Sequence, residues 1–310
     1  MRSDGLKRVV LQGYELYVAA ARDPKILANY GRGTPDDWVE RNLYGRFPKL
    51  GISVWVVLQL VVFGVPAIAT LGVQLIAQPL FAAGVINGFG HSVGYRSFEL
   101  PTSATNVVPW GVLIGGEELH NNHHAFPSSA RFAVQRWEID VGWLFICLFR
   151  ELGLAHVGSL APTPNMVRGR ASIDADTVRA LFTNRLHVLR DYRRRVIRPV
   201  CHELAKQESA AVLERGAPQL LVRHPTLLDP QARQQLRELL ERYEVLRTVI
   251  EFRDRLQQIW DETSASHGRA LEQLRELCAQ AEGSRVLALR KFALRLRSYA
   301  PAAAADRFLS

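Results

Sequence analysis

The sequence predicts an all-α protein in two parts: a membrane-embedded helical hairpin with cytoplasmic histidine-bearing helices, then a soluble helical extension. Three observations carry that reading. Residues 50–95 contain no Asp, Glu, Lys or Arg, and the segment after Arg168 is dense in charge, with Arg dominant. Between them, GGEELHNNHH sets His120, His123 and His124 at i, i+3 and i+4, one face of one helical turn.

Taken in order, residues 5–21 place Val9, Val10, Tyr14, Tyr17 and Val18 at helical spacing, with Lys7, Arg8 and Glu15 among the rest. That is the pattern of an amphipathic helix lying in a membrane interface. Thr34, Pro35, Asp36 and Asp37 offer an N-cap, an N1 proline and first-turn acids to the helix DDWVERNLYGR, with Trp38 and Tyr44 suited to headgroup level. Wound as helix, the uncharged run would extend about 69 Å, roughly twice a hydrocarbon core of ~30 Å, so two passes fit better than one. Gly64, Pro66 and Gly72 mark the turn and give spans near 51–68 and 70–90. A pair of core helices in a soluble protein is the alternative, but no period of polar residues breaks the run. Basic residues flank both ends, Arg41, Arg46 and Lys49 before and Arg96, Arg131 and Arg136 after, which puts both flanks and both termini in the cytoplasm.

Residues 92–116 carry Pro101, Pro109 and the Gly115-Gly116 pair and read as an irregular connection. The three-histidine helix begins after those glycines and must stop near Pro127. Residues 138–156 are too short and too charged to span, and read as an interfacial helix. APTPN at 161–165 is the expected linker. Beyond it, Asp174 or Asp176 caps a helix in which Val178, Leu181, Phe182, Leu189, Tyr192 and Val196 recur every three to four residues, and 230–260 and 266–281 repeat the pattern. The expected domains are interfacial helices at 1–50, a membrane domain at 51–160 and a soluble helical extension at 161–310.

The 310 residues, 48% hydrophobic, suit one large or two modest domains. The net charge of +9 fits contact with anionic membrane lipids. DYRRRVIR at 191–198 is the best support for nucleic acid binding, but no base-reading aromatics or recognised motif accompany it, so no nucleic acid partner is expected. Cys147, Cys201 and Cys278 share no metal-type spacing and read as core residues in a reducing compartment. Polar sequence follows Met1, so no signal peptide is expected.

Imidazole suits iron, zinc or copper. Asn87 and His91, four residues apart in NGFGH, add an amide and a fourth imidazole at the end of the apolar stretch, where polar groups are costly unless they face a partner. Glu117 and His120 form a single Glu-x-x-His, a pattern that carboxylate-bridged di-iron bundles use twice. Zinc held by three His and a water, with Glu118 as general base, would make a hydrolase, but it leaves Asn87 and His91 unexplained. His187, His202, His224 and His267 are scattered and read as surface or capping residues.

The stretch from about Thr34 to Pro164 resembles the C-terminal half of membrane fatty acid desaturases, particularly the bacterial acyl-CoA delta-9 type, through AAGVINGFGHSVGYRSFE, SATNVVPW and GGEELHNNHHAFPSSARF. In that resemblance HNNHH corresponds to the family's third histidine box, His91 to a single His ligand on the last transmembrane helix, and Asn87 to an Asn that reaches metal through water. It implies a non-haem di-iron centre that uses O2 to insert a cis double bond into an acyl chain, as CoA thioester or lipid, in the bacterial inner membrane, with electrons from a donor protein. The implied ligands are His91, His120, His123 and His124; Trp110, Asn106 and Glu117 are candidates for supporting roles. Family members carry two earlier boxes, HxxxxH and HxxHH, whereas no His precedes His91 here. Two irons need about ten to twelve donors, so the expectation is half a site, completed by sequence ahead of Met1 or lost. A lost half would leave a binding or scaffold protein on the membrane.

Overall fold

The computed structural model describes residues 5–30, 37–81, 86–167, 169–170, 172–208, 213, 216–262 and 267–301. The expected cap at Thr34, Pro35 and Asp36, residues 82–85 of the second expected span, and the side chains of Val9, Val10 and Tyr14 lie outside the described residues and side chains. The chain divides into two units, Met1–Val93 and Gly94–Ser310.

In the first unit, α1 (Gly5–Arg22) and α2 (Pro24–Tyr30) precede a π-helical turn, Glu40–Tyr44, where the sequence suggested an α-helix. Asp37 Oδ1 accepts the Glu40 N–H at 2.8 Å at the start of that turn. The hairpin follows as α3 (Leu50–Phe63) and α4 (Pro66–Pro79). Gly64, at φ +61°, ends α3 in a conformation that L side chains avoid, and Pro66 sits in the first turn of α4, where a missing N–H costs nothing. Buried Gln59 donates from Nε2 to Gln74 Oε1 at 3.1 Å and ties the two helices together.

The described helices of the hairpin are shorter than the expected spans. Each helix has 14 residues, about 21 Å at ~1.5 Å per residue, against a hydrocarbon core of ~30 Å. Among the described residues, no helix is long and apolar enough to cross a membrane. The physical reason lies in the punctuation: a left-handed glycine stops the first helix, and at Pro79 α4 gives way to a π turn. The surface stays apolar nonetheless, with Val61 77% and Val65 79% exposed.

The second unit begins with mostly irregular chain. A two-residue parallel ladder pairs β1 (Trp110–Gly111) with β2 (Ile139–Asp140). The histidine helix α5 (His120–Ala125) follows a 3-10 turn, Glu117–Leu119, and α6 (Val141–Glu151) starts at Asp140, whose side chain accepts the Trp143 N–H. Leu144, Phe145, Leu148 and Phe149 form an exposed apolar stripe along α6, the face an interfacial helix would need.

The expected linker leads directly into β3 (Asn165–Met166), which pairs antiparallel with β4 (Tyr299–Ala300) and clasps the two ends of the extension. Between them run α7 (Ala175–Thr183), α8 (Arg185–Tyr192), α9 (Arg198–Glu208), α10 (Ala217–Val222), α11 (Pro230–Arg242), α12 (Glu244–Glu262), α13 (His267–Gly283) and α14 (Leu287–Arg297). Asp174 caps α7 by accepting the Thr177 N–H. The expected periodicity points inward: Val178, Leu181, Tyr192, Val196, Leu246, Leu274 and Leu277 are buried. The 230–260 run is two helices, parted at Tyr243, which leaves helical geometry. Tyr192 anchors the core, stacked on Phe252 at 5.6 Å and edge-on to Phe292 at 4.9 Å. Cys201 and Cys278 are buried free thiols, and burial pushes them up to about 11 and about 12, out of reactive range.

His187 corrects its expected surface or capping role. It is buried between Phe126, stacked at 5.3 Å, and Phe98, edge-on at 5.3 Å, and so joins α8 to the irregular chain before it. Burial first, then the nearby Arg190, push its pKa down to about 4. In the unfolded chain the ring takes a proton as pH falls through about 6.5. The stability tied to neutral His187 is therefore complete above that value and is lost as pH falls towards 4, on the order of 3 kcal/mol in all. His187→Phe keeps a ring in the slot and removes the titration, so thermal melts should show the variant gaining most over the parent near pH 4.5 and least at pH 8. Parallel pH profiles for the two proteins would refute that role.

Candidate metal centre

The histidine helix is set by its neighbours. Gly116, at φ +103°, turns the chain into the 3-10 turn, and a Cβ there would lie 2.8 Å from Asp140 Oδ1. Inside HNNHH the two faces divide the work. Positions i+1 and i+2 point into the protein: Asn121 Oδ1 accepts the Ser97 and Phe98 N–H groups at 2.9 Å, and its Nδ2 donates to the carbonyls of Phe98 and Ala104 at 3.0 Å. Asn122 Nδ2 donates to Phe132 O at 2.9 Å and Glu138 Oε2 at 2.8 Å, while its Oδ1 accepts from Asn106 Nδ2 at 3.1 Å. Glu138 also accepts the Tyr95 hydroxyl at 2.7 Å; burial first, then that bond, raises the phenol's pKa far above its ordinary value.

The histidines occupy the other face. His120 Nδ1 stands 3.2 Å from Glu117 Oε2, and that hydrogen bond is the chief cause holding Glu117 below the usual carboxylate range. His120 Nε2 and His124 Nε2 are 3.1 Å apart. Burial, followed by the fields of His120 and His123, pushes His124 down to about 4, so its ring is neutral at pH 7 and keeps a lone pair to donate. His91 ends the 3-10 turn Phe89–His91 in the first unit, and the ring nitrogens grouped on α5 are those of His120 and His124.

His123 stands outside this group, its ring centre 6.0 Å from that of His120 and 5.7 Å from that of His124. It packs on Phe132 at 4.7 Å, with Nδ1 buried and without a hydrogen-bond partner. Asn87 is half-buried in the turn just ahead of Phe89–His91, tighter backbone than the helix expected there.

The donors fit a metal ion. Two nitrogens each ~2.1 Å from one ion lie roughly 3.0–3.4 Å apart at octahedral or tetrahedral angles, close to the His120–His124 separation. The set is all imidazole, which suits iron, zinc, copper or nickel. Donors sufficient for a second ion are not present in the group. Glu118, the base the hydrolase reading needs, accepts the N–H groups of Val112, Leu113 and Ile114 on Oε1 at 3.0, 2.6 and 3.1 Å and holds that loop instead. Of the supporting candidates, Glu117 touches His120, Asn106 is buried against Asn122, and Trp110 is exposed.

Known proteins match this chain in segments. The sn-1 stearoyl-lipid 9-desaturase of Anabaena variabilis is 42% identical over 77 residues, 25% of this chain and 28% of that protein. The sn-2 palmitoyl-lipid 9-desaturase of Nostoc sp. is 37% identical over 84 residues, 27% and 30% of the two chains. Delta-9 acyl-lipid desaturase 1 of Arabidopsis thaliana is 31% identical over 129 residues, 40% and 42%. Part of this chain is homologous to delta-9 fatty acid desaturases. The desaturase likeness spans between about a quarter and two fifths of these relatives' lengths. A family profile of ISL3 type, described as a transposase, matches residues 180–305, less than half of the chain. No solved structure matches.

Proposed function

We propose that the chain carries part of the metal centre of an O2-dependent fatty acid desaturase, with His91, His120 and His124 as iron ligands. The single observation that carries this reading is the delta-9 desaturase homology, and the paired ring nitrogens of His120 and His124 support it. Bound iron would supply the oxidant that removes hydrogen from an unactivated methylene, chemistry no side chain performs. The chain's own residues orient and hold. Glu117 accepts from His120 Nδ1 and so fixes the tautomer whose Nε2 carries the lone pair that would bind metal. Asn121 and Asn122 fasten the reverse face of α5 to the backbone, so the imidazoles are held by a rigid support.

His123 belongs, in this reading, to the second ion of a di-iron pair, whose other donors come from outside these residues; Asn87 contributes through water. The substrate is a saturated acyl chain, as CoA thioester or lipid ester, with electrons from a separate redox protein. The α3–α4 hairpin and the apolar stripe of α6 enter the bacterial inner membrane, and both termini are cytoplasmic.

The transposase match favours a second reading for residues 180–305, a helical domain that contacts nucleic acid. It predicts duplex DNA binding that weakens steeply with salt. Fatty acid analysis tests the first reading. Cells expressing the chain together with the coding sequence in frame ahead of Met1 should gain cis-monounsaturated acyl chains, and His124→Ala should remove them. An unchanged profile from a longer protein that carries the further histidine boxes contradicts the reading.

A further inference from the structure

Arg96, Arg190, Arg193, Arg194, Arg198 and Arg223 line an open cleft of about 510 Å³ in the second unit, where residues 94–99 meet the extension. One carboxylate faces them. Glu99 Oε2 accepts from Arg96 Nε at 3.2 Å, and Glu99 Oε1 lies 3.5 Å from Arg193 Nη1. The acids close by are engaged elsewhere, Asp191 with Arg295 at 2.6 Å and Asp254 with Arg253 at 2.6 Å.

Nε and Nη1 of Arg190 and Nε of Arg193 are buried without a hydrogen-bond partner. Arg190 lies 5.6 Å over the Phe98 ring, a contact that holds the cation and leaves those N–H groups unanswered. Buried cationic donors without acceptors are costly, and an anion relieves both the desolvation and the mutual repulsion. Burial lowers the pKa of Arg193; Glu99 raises it, and Arg198, Arg96 and Arg223 lower it further. The backbone is unusual at the same place: Arg193–Ile197 is a π-helical turn between α8 and α9, a geometry that is rare and often marks functional sites.

We propose that this cleft binds a phosphate-bearing anion. Guanidinium forks match phosphate oxygens in pairs, and six arginines against one carboxylate suit a ligand with two or more negative charges better than a monocarboxylate. The ligand is a soluble phosphoester or a phosphorylated lipid headgroup. The site is independent of the histidine group, so failure of one leaves the other standing.

The test uses the full chain in detergent, titrated calorimetrically with inorganic pyrophosphate and co-sedimented with phosphatidylcholine vesicles carrying phosphatidate. Arg194 and Arg198 are exposed, so Arg194→Gln/Arg198→Gln should fold as the parent does, checked by circular dichroism. Arg193→Gln removes the inner donor. Saturable pyrophosphate binding, weakened at least tenfold in the variants, supports a soluble phosphoester; binding only to phosphatidate vesicles, weakened likewise, supports a headgroup. The proposal is overturned if neither probe binds, if parent and variants bind alike, or if the cleft takes duplex DNA and pyrophosphate does not compete.

Discussion

His120→Ala is expected to lower metal affinity at least a hundredfold, while His123→Ala leaves one ion per chain in place. The asymmetry follows from geometry. His120 supplies Nε2 to the group it forms with His124, 3.1 Å from its counterpart there, and its loss breaks that pair. His123 lies outside that group, with Nδ1 buried and unanswered. Glu117→Gln should fall between the two, since loss of a partner that orients a ligand typically costs 10–100-fold in affinity. Chelator competition followed by elemental analysis reads all three, and circular dichroism checks that α5 persists. Equal losses for His120→Ala and His123→Ala would show that all four histidines share a single ion.

Asn122→Ala should strongly destabilise the chain around the site. Asn122 is buried and its side chain makes three hydrogen bonds, so its removal strands the Phe132 carbonyl, leaves the Asn106 amide only Ser97 Oγ at 3.4 Å, and takes one of three N–H donors from Glu138 Oε2. At ~1–3 kcal/mol for each buried group left unsatisfied, the loss should reach about 3 kcal/mol or more, a fall of roughly 6–12 °C in Tm for a unit of this size. Because Asn122 also anchors the reverse of α5, metal affinity should fall with it. A melting temperature within about 2 °C of the parent would contradict this role.

The histidine face was legible because i, i+3 and i+4 is a geometric statement that survives without tertiary information, though the spacing alone did not separate His123 from the His120–His124 pair. The sequence hid the opposite face, since Asn121 and Asn122 break no hydrophobic period and look like solvent-facing polar residues. The signal was available in principle: once the histidines claim one side of a turn, the residues at i+1 and i+2 must face the protein. The apolar run from residue 50 to 95 overstated the helices, because composition reports hydrophobicity and Gly64, Pro66 and Pro79 decide length. The heptad-like leucines of the extension marked its helices well. Its packing onto residues 94–104 could not be read, because His187 and Phe98, or Arg193 and Glu99, meet only after folding. The arginine cleft was invisible for the same reason, its donors coming from three separate stretches of chain.

Elemental analysis combined with iron X-ray absorption on the full chain, purified from iron-replete cells, tests the central claim most directly. The account predicts bound iron with imidazole nitrogens at ~2.1 Å, lost in His120→Ala/His124→Ala. Zinc in place of iron, or iron retained at parental stoichiometry in that double variant, would contradict it.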